Sequence, residues 1–299
     1  MEYRNIFLAN PARVSVQREQ LVIEQAEKYM VPLEDISAIL IESRQVTLTS
    51  YAVASLAGHG ITVFLCDDRH LPSCQILPID QYCRQRKLLM AQCEIGKPLQ
   101  KKLWQQIVIR KLQNQAKCLE LMHHEECAKL YQMAHSVLSN DHDNREAAAA
   151  AIYFPALFGR GFSRGSDDPR NAALNYGYAI LRGGIARNLV IHGLEPCIGI
   201  HHRNELNQFN LADDLIEPFR PVVDLYVATN FCEDDDVLTA EQKAGLFNLT
   251  NHMVQQAGKR YRIMTAIGRA SVALANSIVD EDAKLELPHL IPLELHRYE

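Results

Sequence analysis

The spacing of apolar residues changes partway along this chain, and that change limits what the chain can fold into. Up to about residue 75 the apolar positions come as short runs and alternations. Arg13-Val-Ser-Val16 and Leu21-Val-Ile23 flank a polar turn at 17–20, the pattern of a β-hairpin. Ile36–Ile41 and Ile61–Cys66 are further strand segments, and Asp67–His70 with Pro72 reads as a turn and linker. Past Pro78 the period becomes helical, through Leu103, Ile107, Leu112, Leu119 and Leu130, with Pro98 placed at a helix start. From Arg145 onward helical segments alternate with loops at Gly159–Gly165 and Glu233–Asp236. Thr239 followed by Gln242 forms a capping box. The expected class is α+β: a small β-rich domain over residues 1–75, then a larger all-α-helical domain over 76–299, with no internal repeat.

One segment requires a membrane test. From Gln45 to Cys66 there are 22 residues without Asp, Glu, Lys or Arg. Polar Thr and Ser side chains and the Gly58-His59-Gly60 punctuation break the run, so it reads as a short helix, a turn and a buried strand. Arg4 and Asn5 precede too short an apolar run for a signal peptide. None of the eight cysteines forms a Cys-x-x-Cys pair. Reduced thiols in a cytoplasm are expected, not a disulfide scaffold or a zinc ribbon.

Charge is uneven. The formal net charge is −5, yet residues 81–120 carry nine basic and two acidic side chains. A basic helical strip in an acidic protein suits local contact with a phosphate backbone, and equally suits a solvated helix face.

Three segments hold candidate chemistry. Asp143-Asn-Arg-Glu146 leads into the apolar run Ala147–Ala151, so Glu146 is either a carboxylate complementing a helix start or a ligand aimed inward. In Ile198-Gly-Ile-His-His202 the adjacent histidines cannot point the same way, so at most one is a ligand or proton-transfer group. In the segment 210–221, Asp214 and Glu217 share a helix face and repel. A divalent cation between them would relieve the repulsion, and so would solvent at an acidic first turn. Pro218 and Pro221 fix the geometry after Glu217. Two carboxylates, one histidine and a basic strip together fit metal-assisted phosphodiester chemistry.

Asn144-Arg-Glu146, Asn171-Ala-Ala-Leu-Asn-Tyr-Gly-Tyr-Ala-Ile-Leu181, Gly199-Ile-His-His202 and Asp214-Leu-Ile-Glu-Pro-Phe-Arg-Pro-Val-Val-Asp224 resemble the CRISPR-associated Cas-one family over nearly the whole chain. The segment 207–211 looks most like type II-A versions. The resemblance implies a spacer-acquisition integrase and endonuclease that uses Mg²⁺ or Mn²⁺. It places Glu146, His202 and Glu217 as metal ligands and catalytic residues, with Asp214 as a further acid near the metal. The implied reaction is attack by the 3′-hydroxyl of a captured DNA fragment on the border of a CRISPR repeat. The implied partners are double-stranded DNA, a second copy of the chain through the β-rich domain, the Cas-two protein bridging two such dimers, and other type II-A adaptation proteins. Arg84, Arg86, Lys87, Arg110, Arg160, Arg164 and Arg170 become the DNA-binding candidates.

Three competing readings remain open at this level. One is a nuclease or junction resolvase of repair, which would share the site. Another is a non-catalytic DNA scaffold whose acids cap helices. The third is chemistry built on the adjacent pair His142-Asp143.

Overall fold

The computed structural model describes residues 4–77, 84–231 and 238–295. The loop expected at Glu233–Asp236, and Cys83 and Cys232, lie outside the described residues. The described residues form two compact units: 4–77 with Thr239–Asn248, and 84–231, 238 and 249–295.

The first unit holds β1 (Arg4–Leu8), β2 (Arg13–Gln17), β3 (Gln20–Glu24), β4 (Lys28–Pro32), β5 (Ile36–Ile41), β6 (Thr47–Leu48), α1 (Ser50–Gly58), β7 (Thr62–Cys66) and β8 (Pro72–Ile76). One sheet has the order β1-β5-β7-β8, and a second has the order β4-β3-β2-β6. Leu8, Val14, Leu21, Ile39, Leu56 and Val63 are among the residues of the core between them. The hairpin β2–β3 stands where the sequence puts it. Its central residues Arg18 and Glu19 have φ of 49° and 60°, the left-handed values a two-residue hairpin requires, without the usual Asn or Gly. The uncharged stretch 45–66 resolves into α1, a turn and β7, and Thr49 caps α1 by accepting the Ala52 N–H at 3.1 Å. Pro72 corrects the linker reading. It begins β8, an edge strand, where the first position of a strand tolerates a residue with no N–H to donate.

The helical unit comprises α2 (Gln85–Cys93), α3 (Lys97–Leu121), α4 (Cys127–His135), α5 (Arg145–Phe158), α6 (Pro169–Ile191), α7 (Asn210–Ile216) and α8 (Arg220–Asn230). After α9 (Ala240–Asn248) come a small hairpin, β9 (Met253–Gln256) and β10 (Lys259–Arg262), and then α10 (Ile263–Val279). Prolines sit in the first turns of α3, α6 and α8, where a missing N–H costs nothing. The 25-residue α3 is the spine: it packs against α4, α5 and α8 and buries Leu103, Trp104, Ile107, Val108 and Leu112. Among the described residues no helix is long and apolar enough to cross a membrane.

The capping box is formed: Gln242 N–H donates to Thr239 Oγ1 at 3.2 Å and Thr239 N–H to Gln242 Oε1 at 3.0 Å. The helix it opens, α9, was expected with the helical domain, but it packs in the first unit. There Phe247 meets the edge of Phe64 with ring centroids 6.1 Å apart, and Lys243 pairs with the buried Glu42. Local sequence fixes that a helix starts at Thr239. Where it docks is set by distant partners: the buried charge of Glu42, the ring of Phe64, and Asn5, whose amide donates to the Phe247 carbonyl at 3.3 Å.

Candidate active site

The entry to α5 is built from left-handed residues. Asn140, Asp141 and Asn144 have φ of 64°, 48° and 53°, which Asn and Asp accept more readily than other side chains. The bend turns the buried Asp141 back onto the helix. Its two carboxylate oxygens accept the N–H groups of Arg145 (2.8 Å) and Glu146 (3.0 Å). The cap is therefore Asp141, and Glu146 is released from that duty to point elsewhere.

Glu146 points at Lys111, on the buried face of α3. The Lys111 ammonium donates to Glu146 Oε1 at 2.5 Å and is also paired with Glu217 Oε2. Glu217 follows the last turn of α7 and is 5% exposed; its other oxygen accepts from Arg220 Nε at 2.9 Å. Burial pushes the Glu217 carboxyl up, but Arg220 and Lys111 outweigh it and hold the group ionised, well below the usual range. For Lys111, burial opposes the charge and the two glutamates more than restore it, so it remains an ammonium. Two carboxylates from different segments thus converge on one buried cation.

The histidines diverge, as adjacent residues must. His201 stacks flat on Trp104, with centroids 4.1 Å apart and planes 3° apart, while His202 meets Trp104 edge-on at 5.8 Å. Asp214, fully buried on α7, explains the difference. Its Oδ2 accepts the N–H groups of Ile200 (2.6 Å) and His201 (3.0 Å); its Oδ1 accepts the His202 N–H (3.1 Å) and faces His202 Nδ1 at 2.7 Å. A carboxylate can only accept, so Nδ1 carries the proton and Nε2 is the atom left to bind. The bond to Asp214 raises the His202 pKa against burial, and the charge of Glu217 acts on the same ring. Gly199 is required by this packing. A Cβ there would run into the His202 carbonyl and stand 3.0 Å from Asp214 Oδ2.

The repulsion foreseen between Asp214 and Glu217 is thus relieved by separate partners, not by a cation shared between them. Asp214 orients the histidine, and Glu217 faces the ammonium with Glu146. Among the described residues no three His, Cys, Asp or Glu side chains already stand in metal-holding geometry. The donor set nevertheless fits a hard divalent cation: two carboxylates already share one positive charge, and the histidine is braced by a carboxylate behind it, an arrangement typical of metal ligands.

Behind Arg220 lies a layer the sequence does not announce. Arg220 lies over the Tyr178 ring, 4.6 Å from its centroid, and the hydroxyls of Tyr178 and Tyr153 both donate to Asp224, which is 1% exposed. Burial lifts the Asp224 carboxyl to about 6 despite those bonds. A raised carboxyl pKa means the folded state holds the proton more tightly. That stabilisation is complete below the unfolded value near 4 and is lost as pH rises through about 6. Asp224→Asn is therefore expected to gain on the wild type by roughly 2–3 kcal/mol between pH 4 and pH 7. Urea unfolding at both pH values checks this; parallel pH dependence would refute it.

The basic strip does not form one face. Arg110 meets His289, Lys111 is buried with the glutamates, and Lys117 pairs with Glu120 at 2.9 Å. Arg84, Arg86 and Lys87 are exposed at the start of α2, and Arg160 is exposed in its loop. Arg164 donates to Asn171 and Asn175, and Arg170 grips Asp168 at the start of α6. His142 and Asp143 form an exposed pair at 3.5 Å.

The chain as a whole is similar to known proteins. The sequence model of the family "CRISPR associated protein Cas1" matches residues 6–242. A protein of Neisseria meningitidis serogroup C (strain 8013), "CRISPR-associated endonuclease Cas1", is 42% identical over the full length of both chains. Among solved structures, "Casposase bound to integration product" superposes with a TM-score of 0.74 at 21% identity, covering 95% of this chain and 92% of that one. A "Cas6-RT-Cas1--Cas2 complex" superposes with a TM-score of 0.69 at 20% identity, covering 94% of this chain and 35% of that one. The family model over residues 6–242 and the full-length relative at 42% identity make this fold, with its β-rich start and helical remainder, that of a CRISPR-associated protein. The chain belongs to the Cas1 family.

Proposed function

We propose that this chain is a divalent-metal-dependent DNA integrase and endonuclease of CRISPR adaptation, which inserts captured DNA fragments into a CRISPR array. The observation that carries the reading is the convergence of Glu146 and Glu217 on the buried Lys111 ammonium, with a histidine braced by Asp214 whose ring lies within the field of Glu217. Glu146, Glu217 and His202 Nε2 are the proposed holders of Mg²⁺ or Mn²⁺, which when bound neutralises developing charge on phosphorus and makes an oxygen nucleophile available.

The chain's own groups do the rest. Arg220 keeps Glu217 ionised, and Lys111 places a positive charge between the two carboxylates. Asp214 fixes the ring of His202. The 3′-oxygen of the fragment forms a bond to phosphorus as the bond to the leaving 3′-oxygen of the target strand breaks. The attacking hydroxyl loses its proton and the leaving oxygen gains one. One phosphodiester replaces another, so no nucleotide triphosphate is consumed. Hydrolysis by the same site gives the endonuclease activity that the Neisseria relative's name records. One structural neighbour is a casposase bound to its integration product and the other is assembled with Cas2; both suit double-stranded DNA and a Cas2-type bridge as the partners proposed for this chain. We assign dimer formation to the β-rich unit, and the free described cysteines suit a reducing cytoplasm.

The test supplies the purified chain and its Cas2 partner with a 3′-OH fragment and a repeat-containing supercoiled plasmid, with Mg²⁺, Mn²⁺ or EDTA. Fragment joined to the repeat border only with a divalent cation is the expected result. Cutting without joining would replace this reading with a repair nuclease, and joining in EDTA would remove the metal.

A further inference from the structure

Three hollows among the described residues of the helical unit differ in their electrostatics. The largest, about 450 Å³ between α2, α3 and the end of α10, mixes Lys102 with Glu94, Glu281 and Asp282, so it has no preference for an anion. The hollow beside Glu217 is lined by Arg164, Arg182 and Arg220, but its cations are engaged. Arg220 holds Glu217, Arg164 holds Asn171 and Asn175, and Asp213 lies among them with Arg182 over the Phe209 ring at 4.9 Å. The third, about 330 Å³, is lined by Lys97, Gln100, Lys101, Asn140, His201 and Arg203, with no acid in its walls.

Its cations are available. Among the described residues neither Lys97 nor Lys101 has an ion-pair partner, and Arg203 spends one N–H on Gln100 Oε1 at 2.8 Å, leaving the rest of its donors free. Lys97 and Lys101 are one turn apart on α3, so both ammoniums project from one helix face. Three positive charges without a counter-charge repel one another, a cost that an anion would remove.

The walls of this hollow are the segments that build the active site. Asn140 precedes Asp141, which caps the helix carrying Glu146. His201 precedes His202, and the charge of Glu146 reaches the His201 ring. The α3 face runs from Lys97 and Lys101 through Trp104, on which His201 stacks, toward Lys111. On α3, Lys101 and Lys97 stand 10 and 14 residues before Lys111, about 15 and 21 Å along the helix, so a phosphodiester chain with one phosphate at the carboxylates reaches this hollow a few nucleotides further along the strand.

Resting on the integrase reading of the same site, we propose that Lys97, Lys101 and Arg203 form a cradle for the sugar-phosphate backbone of the DNA strand that flanks the reacting phosphate. Arg203 supplies directional donors and the lysines supply point charges, so the cradle grips backbone without reading sequence.

The test is duplex binding by the full chain in EDTA, so that joining plays no part, read as affinity against salt concentration. The variant Lys97→Gln/Lys101→Gln/Arg203→Gln is compared with a charge-matched control, Lys28→Gln/Lys129→Gln/Lys284→Gln, drawn from outside the hollow. The cradle predicts about 10- to 100-fold weaker binding at 0.1 M salt and a log–log salt slope shallower by two to three for the first variant only. Equal losses in both, or none in either, overturn it. Should the triple variant misfold by circular dichroism, Lys101→Gln alone is expected to lower the slope by about one, and an unchanged slope overturns the proposal. Inorganic phosphate separates the two anion sources. If it raises the melting temperature of the wild type but not of the triple variant while duplex affinity stays the same, the hollow takes a small anion and the cradle is refuted. Wild-type joining with unaltered binding by the triple variant removes the cradle and leaves the integrase reading. Absence of joining with the predicted loss of binding does the reverse.

Discussion

Lys111→Met is expected to lower the stability of the metal-free chain by about 3–5 kcal/mol, the usual cost of removing one partner from a buried ion pair. Met keeps most of the volume and the unbranched stem, so the packing of α3 is little disturbed. What is lost is the one charge that, among the described residues, pairs with both Glu146 and Glu217. Arg220 still reaches Glu217 Oε1, but the buried Oε2 and the partly exposed Glu146 lose the charge that lies between them. The two carboxylates then repel, and one takes up a proton at a pH where the wild type would not. A divalent cation supplies the missing charge twice over and binds the folded state alone, so it stabilises by mass action. Urea unfolding of both proteins in EDTA and in Mg²⁺ or Mn²⁺ checks this. The gain on adding the cation is expected to be larger in Lys111→Met than in the wild type, where the ammonium must first leave. Equal gains, or none, would mean these carboxylates do not take a divalent ion.

That ammonium shows how far the sequence could be read. The α+β division followed from apolar period, and the helix–turn–strand of 45–66 followed from punctuation, because both are set by neighbours a few residues apart. The capping box at Thr239–Gln242 was legible for the same reason. Lys111 was not. In the sequence it is one of nine basic residues in a window, and only the α3 register puts it inward while Arg110, next to it, faces His289. Asp141 was hidden similarly. Its capping role depends on three left-handed residues, a backbone choice that Asn and Asp permit but do not dictate. Asp214 was visible as an acid near the site, yet its partners are backbone N–H groups 12 to 14 residues away, which no spacing rule reports. Asp224 was visible as the end of a motif but not as a proton-holding group, since one acid in an apolar helix reads as any other until two tyrosines from α5 and α6 close over it.

Glu146→Gln and Asp214→Asn should separate the residue that holds charge at the reacting centre from the one that positions a neighbour. Glu146→Gln keeps shape and removes a formal charge from the pair on Lys111. Strand transfer is expected to fall by about 10³-fold or more, matching the several kcal/mol that metal-held charge supplies, with duplex binding retained. Added divalent cation should not restore it. Asp214→Asn keeps one oxygen for the N–H groups of residues 200–202, but its amide nitrogen cannot accept. At least one buried N–H loses its partner, at about 1–3 kcal/mol, and His202 loses the brace on Nδ1. A 10- to 100-fold loss of joining is expected, in the range for a carboxylate behind a metal ligand, and raised Mg²⁺ or Mn²⁺ should recover part of it. The pH profile gives a further readout that simple destabilisation would not move. In the wild type Asp214 raises the His202 pKa, so the proton competes for the ring up to a higher pH and joining rises late. Without that carboxylate the His202 pKa falls, and the acid limb of the profile should shift to lower pH. An acid limb that stays in place, with a loss indifferent to added metal, would reduce Asp214 to a structural tie and leave His202 outside the reaction.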